Sequence, residues 1–323
     1  MSKIDHEMRV GIFVKQKDFR LVEIDKSSSG QFRINKLIQA TIDTKFDYQA
    51  IQNDSHLADI GNKIFEILNL FEAGKKNIIF TIESPLAMIK KIPMDDSLSQ
   101  EELIDHVHWE VKQFSYSPDD EYIVDFQKIN APNGQSSQQI IVVSVRERII
   151  QQLKKLFAAA KLLVKVVELD IFAAIRAIEN NYDLKSDEVV SLIDVDSFGM
   201  KFTILKDKNF FFSQEIPSSK LGLEKKSLMT VEDIDLARLI SRELRRIVQD
   251  HQLGDSIESV DRIFLYGDLV KDGVLENLQN NYSLKVDKTN PIRNLFVGPK
   301  VHLDEKISSH PEALTVCIGS ALR

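Results

Sequence analysis

Lys15, Arg20, Asp194 and Asp196 are the side chains of this sequence with the strongest case for doing chemistry. They fall in two segments, 9–22 and 189–205, each of which reads as a strand, a tight turn and a second strand. The turns carry Phe13-Val14-Lys15 and Asp194-Val195-Asp196. Lys15 and Arg20 would bring positive charge to a phosphate, and Asp194 would offer oxygen to magnesium, a hard cation. The opposing reading makes Lys15 and Arg20 solvent-facing residues of a hairpin that binds nothing. Phe13 can neither accept a hydrogen bond nor hold a hard cation.

Three further side chains invite chemical readings. His106 and His108, two positions apart on one helix, point about 200° from each other, so no shared metal site is expected. Trp109, the one tryptophan, lies opposite the apolar stripe of its helix. It either covers a second buried surface between subdomains or helps to receive a partner peptide. Cys317 has no evident His or Asp partner and is expected to be a buried structural thiol.

The frame around these residues follows from length and composition. At 323 residues the chain exceeds the usual size of one core, which implies about two domains. Hydrophobic residues make up 43% and charged residues 28%, as in a soluble globular protein. The 12 glycines are roughly 4% of the chain, against a usual 7% or so, which leaves few for nucleotide loops. A formal charge of -7 argues against nucleic acid as a partner. The pairs Lys75-Lys76 and Lys225-Lys226 read as solvated helix or loop ends. A single cysteine excludes internal disulfides and fits a reducing compartment. Met1 to His6 has no apolar core of a signal peptide, and no run reaches the ~18 apolar residues of a membrane span, so no direct membrane insertion is expected.

Along the chain, strands are expected at 9–14 and 20–24, then a serine-rich turn at 27–30 and a helix over 57–71 with Ile60, Ile64, Ile67, Leu68 and Phe71 on one face. A small α+β block spans 77–147. It contains strand 77–82, segment 88–92 and a helix opened by the capping box Ser99 to Glu102, with Leu103, Val107, Val111 and Phe114 on one face. Strands 121–129 and 139–145 follow, separated by a turn at 131–137. Helix 146–160, strand 165–169 and helix 171–179 come next, with a boundary at 180–187. Beyond it lie three strands ending at Ile216, a helix over 232–251 capped by Thr230, strand 262–265, helix 270–278 and a terminal helix near Pro311. Two halves that each open with a strand hairpin form a weak internal duplication.

Several motifs in this order carry a family resemblance over nearly the whole chain. Lys91-Ile92-Pro93, the capped helix with Trp109-Glu110, and Ile123-Val124-Asp125-Phe126 resemble the inserted subdomain of PilM and FtsA. Val142 to Arg146, Ala160-Lys161-Leu162 and Val167-Glu168-Leu169-Asp170 resemble the return path of the PilM family. Glu243-Leu244-Arg245-Arg246 is similar to its adenosine-side helix motif, and Ile318-Gly319-Ser320-Ala321-Leu322-Arg323 to its chain end. The resemblance implies an α/β, actin-like (ribonuclease H-like) two-domain fold. Its expected divisions are a first domain of 1–76 and 148–187, an inserted α+β subdomain of 77–147, and a second domain of 188–323.

The resemblance also implies a nucleotide cleft, here much altered. Where the family has Asp, Gly and a basic residue in the first phosphate loop, this chain has Phe13, Lys15 and Arg20. In the second loop Asp194 survives, but Asp196 stands for Gly and Met200 for Thr. A carboxylate about 4 Å from a phosphate oxygen costs on the order of 4 kcal/mol at an effective dielectric near 20, roughly three decades in affinity. In the adenosine loop, Leu265-Tyr266-Gly267-Asp268 keeps one glycine of two. The residual cleft is thus assigned Lys15, Arg20, Asp194, Gly267 and Gly319, with no catalytic or metal residue, no cofactor expected, and ATP with magnesium left as an alternative.

What the resemblance implies for function is a cytoplasmic scaffold of a type IV pilus or related secretion platform. Its partner would be the cytoplasmic tail of a PilN-like inner-membrane protein, docked near Trp109 and Phe114. That places it at the inner membrane through its partner, with self-association open. The alternatives are an ATP-binding or ATP-hydrolysing actin-like protein and an FtsA-like membrane-associated polymer.

Overall fold

The computed structural model describes residues 8–27, 30–94, 97–115, 117, 119–129, 138–222, 227–282, 284–299, 301 and 308–323. The amino-terminal residues 1–6, the 131–137 turn and Lys225-Lys226 lie outside them, as do residues 28 and 29 of the 27–30 turn.

The first body is built on β1 (Arg9–Lys26), β2 (Phe32–Phe46), β3 (Ile78–Ile82), β7 (Val164–Leu169) and β13 (Phe296–Val297), in the order β13-β2-β1-β3-β7. An 18-residue extended strand would span about 60 Å. Yet the Phe13 and Val22 backbones both contact the Cys317 thiol, so β1 turns back at Gln16, a left-handed residue with φ 56°. Its early half pairs with β3 and its later half with β2, which agrees with the expected strand, turn and strand. α1 (Tyr48–Ile51) and α2 (Asp54–Leu70) follow β2, and Asn53 caps α2 by accepting from Ser55 and His56 amides.

The small sheet consists of β4 (Ala87–Met94), β5 (Tyr122–Ile129) and β6 (Gln138–Arg146), ordered β4-β6-β5, with α3 (Gln100–Phe114) across one face. The capping box forms as expected: Glu102 N donates to Ser99 Oγ and Ser99 N donates back to the Glu102 carboxylate. Leu103, Val107 and Val111 are buried against Ile140 and Val142. Strand 77–82, expected within this block, is β3 and lies between β1 and β7 of the first sheet, so the inserted sheet starts at Ala87. The five-residue β3 is buried on both faces, as a central parallel strand requires.

α4 (Glu147–Ala159) returns to the first body beside α2, and β7 leads into α5 (Asp170–Asn181). The second sheet comprises β8 (Val189–Val195), β9 (Gly199–Lys206), β10 (Asn209–Pro217), β11 (Arg262–Tyr266) and β12 (Val286–Lys288), ordered β10-β9-β8-β11-β12. α6 (Asp233–Asp250) and α7 (Asp272–Tyr282) cover one of its faces. Glu232, not Thr230, is the N-cap of α6, because Thr230 closes a preceding 3-10 turn. The chain then returns: β13 pairs with β2, and α8 (Thr315–Ala321) packs on β1 and α5. Residues after 188 therefore do not all belong to the second body.

Candidate functional site

Strand alternation aims the polar residues at the space between the two sheets. On β8, Val190 and Leu192 face the core shared with α5, so Asp194, two residues on, faces the same way. On β9, Met200, Phe202 and Ile204 pack under α6, which turns Lys201 to the opposite side. Asp196 closes the β8–β9 turn by accepting from the Phe198 and Gly199 amides.

Ion pairs fill the space so defined. Lys15 Nζ donates to Asp194 Oδ2 at 2.9 Å and pairs with Asp196. Burial opposes its charge, but the two carboxylates outweigh burial and hold the Lys15 ammonium well above its ordinary range. Lys201 pairs with Asp170 at the start of α5 and stands 3.8 Å from Glu215. The other Asp170 oxygen accepts from the Ser84 and Ile171 amides at 2.9 and 2.8 Å. Arg20 donates to Asp268 Oδ1 at 2.5 Å and to the Ala313 carbonyl at 3.0 Å. Lys15 and Arg20 are both buried, which overturns their reading as solvent-facing residues: each has a carboxylate across the cleft that compensates its desolvation.

Glu83, just after β3, faces the same cluster. Burial pushes its carboxyl up to about 7, against the pull of Lys15 and Lys201. Burial likewise raises Asp194, which shares one ammonium with Asp196.

Gly267 adopts φ +106°, and a Cβ there would lie 2.3 Å from Asp194 Oδ1, so the glycine admits the aspartate into the cleft. Gly319 has a different place. A Cβ there would fall 1.8 Å from the Ala173 carbonyl, so it is the crossing point of α8 and α5. Phe13 is a core residue. The remaining cleft measures about 170 Å³, below the ~300 Å³ at which small-molecule sites begin. A magnesium-nucleotide does not fit these residues, because an ammonium stands between the carboxylates that would face the metal and Asp196 would face the phosphates.

Trp109 is 57% exposed and stacks on His106, with ring centroids 6.2 Å apart, so among the described residues no second buried surface lies over it. Phe114 packs at the margin of the small core beneath Lys90, whose Nζ is 4.7 Å from the ring centroid. Phe114 thus packs toward the small core, whereas Trp109 is turned to solvent.

A larger groove of about 720 Å³ lies elsewhere, between the small sheet, the β7–α5 wall and the tip of the β9–β10 hairpin. Ile141, Val143, Leu169, Phe172 and Phe210 line it, with Arg176 held on Glu168 at 2.6 Å at its margin. β5 ends the small sheet, and Ile123, Asp125 and Gln127 alternate outward while Val124 and Phe126 pack inward. Period-two patterning at 122–127 was the available sequence signal for this groove. Asp170, Lys201 and Glu83 are further site residues: Asp170 figures in the sequence motifs only as the end of the return path, and no motif singles out Lys201 or Glu83.

This architecture, two five-stranded sheets around a polar cleft with a small sheet inserted in the first body, is that of the actin-like ATPase fold. A protein of unknown function with that fold from Bacteroides thetaiotaomicron superposes with TM-score 0.51 at 12% identity, covering 98% of this chain and 99% of its own. A solved structure described as a PilM-PilN type IV pilus biogenesis complex superposes with TM-score 0.77 at 16% identity, covering 98% of both chains. The family model for type IV pilus assembly protein PilM matches residues 11–220, and the chain belongs to that family.

Proposed function

We propose that this chain is a cytoplasmic adaptor of a type IV pilus or related secretion platform, held at the inner membrane by the cytoplasmic tail of a PilN-like protein. The groove beside β5 carries this reading. An edge strand offers unpaired backbone amides and carbonyls to an added extended peptide, and the apolar floor offers pockets for alternate side chains. The family membership and the described PilM-PilN complex supply the kind of partner. The ion-paired cleft supports a scaffold over an ATPase, since the positive charge that would meet a phosphate is already taken up by Asp194, Asp196 and Asp268.

The test is a calorimetric titration of a synthetic peptide copying the tail of the cognate PilN-like protein. Binding by the parent, its loss in Ile123→Asp and Val143→Asp, and its retention in Trp109→Ala are expected. Loss in Trp109→Ala with retention in the groove variants would return the docking surface to α3.

A further inference from the structure

At one end of the first body the loop before β3 and the chain entering β7 run side by side. Leu163 N donates to the Lys75 carbonyl at 2.9 Å, and Ile78 N donates to the Leu163 carbonyl at 3.3 Å. Beside them is a shallow depression of about 590 Å³ whose lining includes Phe157, Leu162, Leu163, Lys76, Lys154 and Lys165. Lys75 and Lys161 adjoin it, their ammoniums 4.6 and 4.4 Å from the centroid of one ring, Phe65. Leu163 is 62% exposed, and at the end of α2 Leu70 and Phe71 are 77% and 45% exposed. Lys75 Nζ reaches Asn69 there at 2.5 Å, so this apolar edge borders the lysines.

Isolated exposed apolar residues need no explanation, but several ringed by lysines form an interaction surface. Segment 70–77 has one carboxylate, Glu72, and segment 158–165 has none, although the whole chain carries a formal charge of -7. The patch is therefore a local reversal of the protein's overall sign.

We propose that this face is a peripheral docking surface for an anionic lipid bilayer. Lysine stems lie along an apolar surface while their ammoniums reach lipid headgroups, and exposed leucines enter the headgroup–acyl boundary. A polyanion such as RNA is disfavoured: the exposed residues beside the lysines, two leucines and one phenylalanine, suit acyl chains and offer little for bases to stack on. β7 runs from this patch at Val164 to the groove at Leu169, so a membrane partner and a membrane surface are reached along one strand. The patch requires no occupant in the groove.

Cosedimentation of the full chain, without any partner, is the test. The protein is expected to pellet with phosphatidylcholine vesicles containing phosphatidylglycerol and not with phosphatidylcholine alone, and salt is expected to release it. Lys76→Ala with Lys154→Ala should weaken partitioning about thirtyfold. Leu163→Ser should weaken it as well, with unchanged melting of the protein; Lys76→Glu is a second charge variant should the double change disturb folding. Absence of pelleting, equal pelleting with neutral vesicles, indifference to all these substitutions, or binding to single-stranded RNA in place of vesicles would overturn the proposal.

Discussion

The Lys15 ammonium and the Asp194 carboxylate, 2.9 Å apart, belong to different bodies of the molecule, one at the turn of β1 and the other at the end of β8. Arg20 to Asp268 and Lys201 to Asp170 cross the same cleft. Side chains thereby join the two sheets directly. Such pairs contribute little against an apolar alternative but make the loss of one partner costly.

Replacing Lys15 by Met leaves Asp194 and Asp196 buried without their ammonium. Urea unfolding should show a loss of about 3–5 kcal/mol, with part of it restored by adding Asp194→Asn. A loss below about 1 kcal/mol, the range of exposed pairs, would mean that the carboxylates are hydrated.

Calorimetric titration with ATP and magnesium should give no heat up to millimolar nucleotide. Micromolar binding would require Lys15 to leave its carboxylates and would revive an ATP-dependent role.

Glu83 should tie stability to pH. Below its ordinary value of 4.5 both folded and unfolded chains keep its proton, and the contribution is whole. As pH rises toward about 7 the unfolded chain releases the proton first, so this contribution falls, and it is lost above 7. Glu83→Gln should therefore stabilise the protein at pH 8, by at most about 3 kcal/mol, and change little at pH 4. Equal effects at both pH values would contradict the assignment.

Gly319→Ala should be severe for a packing reason. The Ala173 carbonyl is backbone and cannot rotate away, so α8 and α5 must part, at a cost of about 3 kcal/mol. Gly222→Ala, with open space around it at φ +75°, should cost about 1 kcal/mol from backbone strain alone. Comparing their denaturation midpoints checks the ranking.

Much of this fold was legible because its signals are local. The capping box at Ser99, the stripe on α2 and the strand–turn–strand pattern of β8 and β9 each follow from local sequence alone. β2 was not: FRINKLIQATIDTKF mixes half-buried polar and apolar residues, and only its pairing with β1 reveals it. The sheet membership of β3 and the return of α8 are long-range facts, absent from any window of sequence. In the site, the residue types at 15, 194 and 196 signalled an altered phosphate cleft, while their mutual pairing depended on two bodies meeting. The family resemblance assigns Gly319 to the cleft, but a helix crossing and a ligand approach require the same missing Cβ.

Hydrogen exchange with the cognate tail peptide tests the central claim most directly. Slowed exchange across Tyr122–Ile129 of β5 and along β7 is the result this account predicts. Slowed exchange confined to α3 around Trp109, with β5 unchanged, would contradict it.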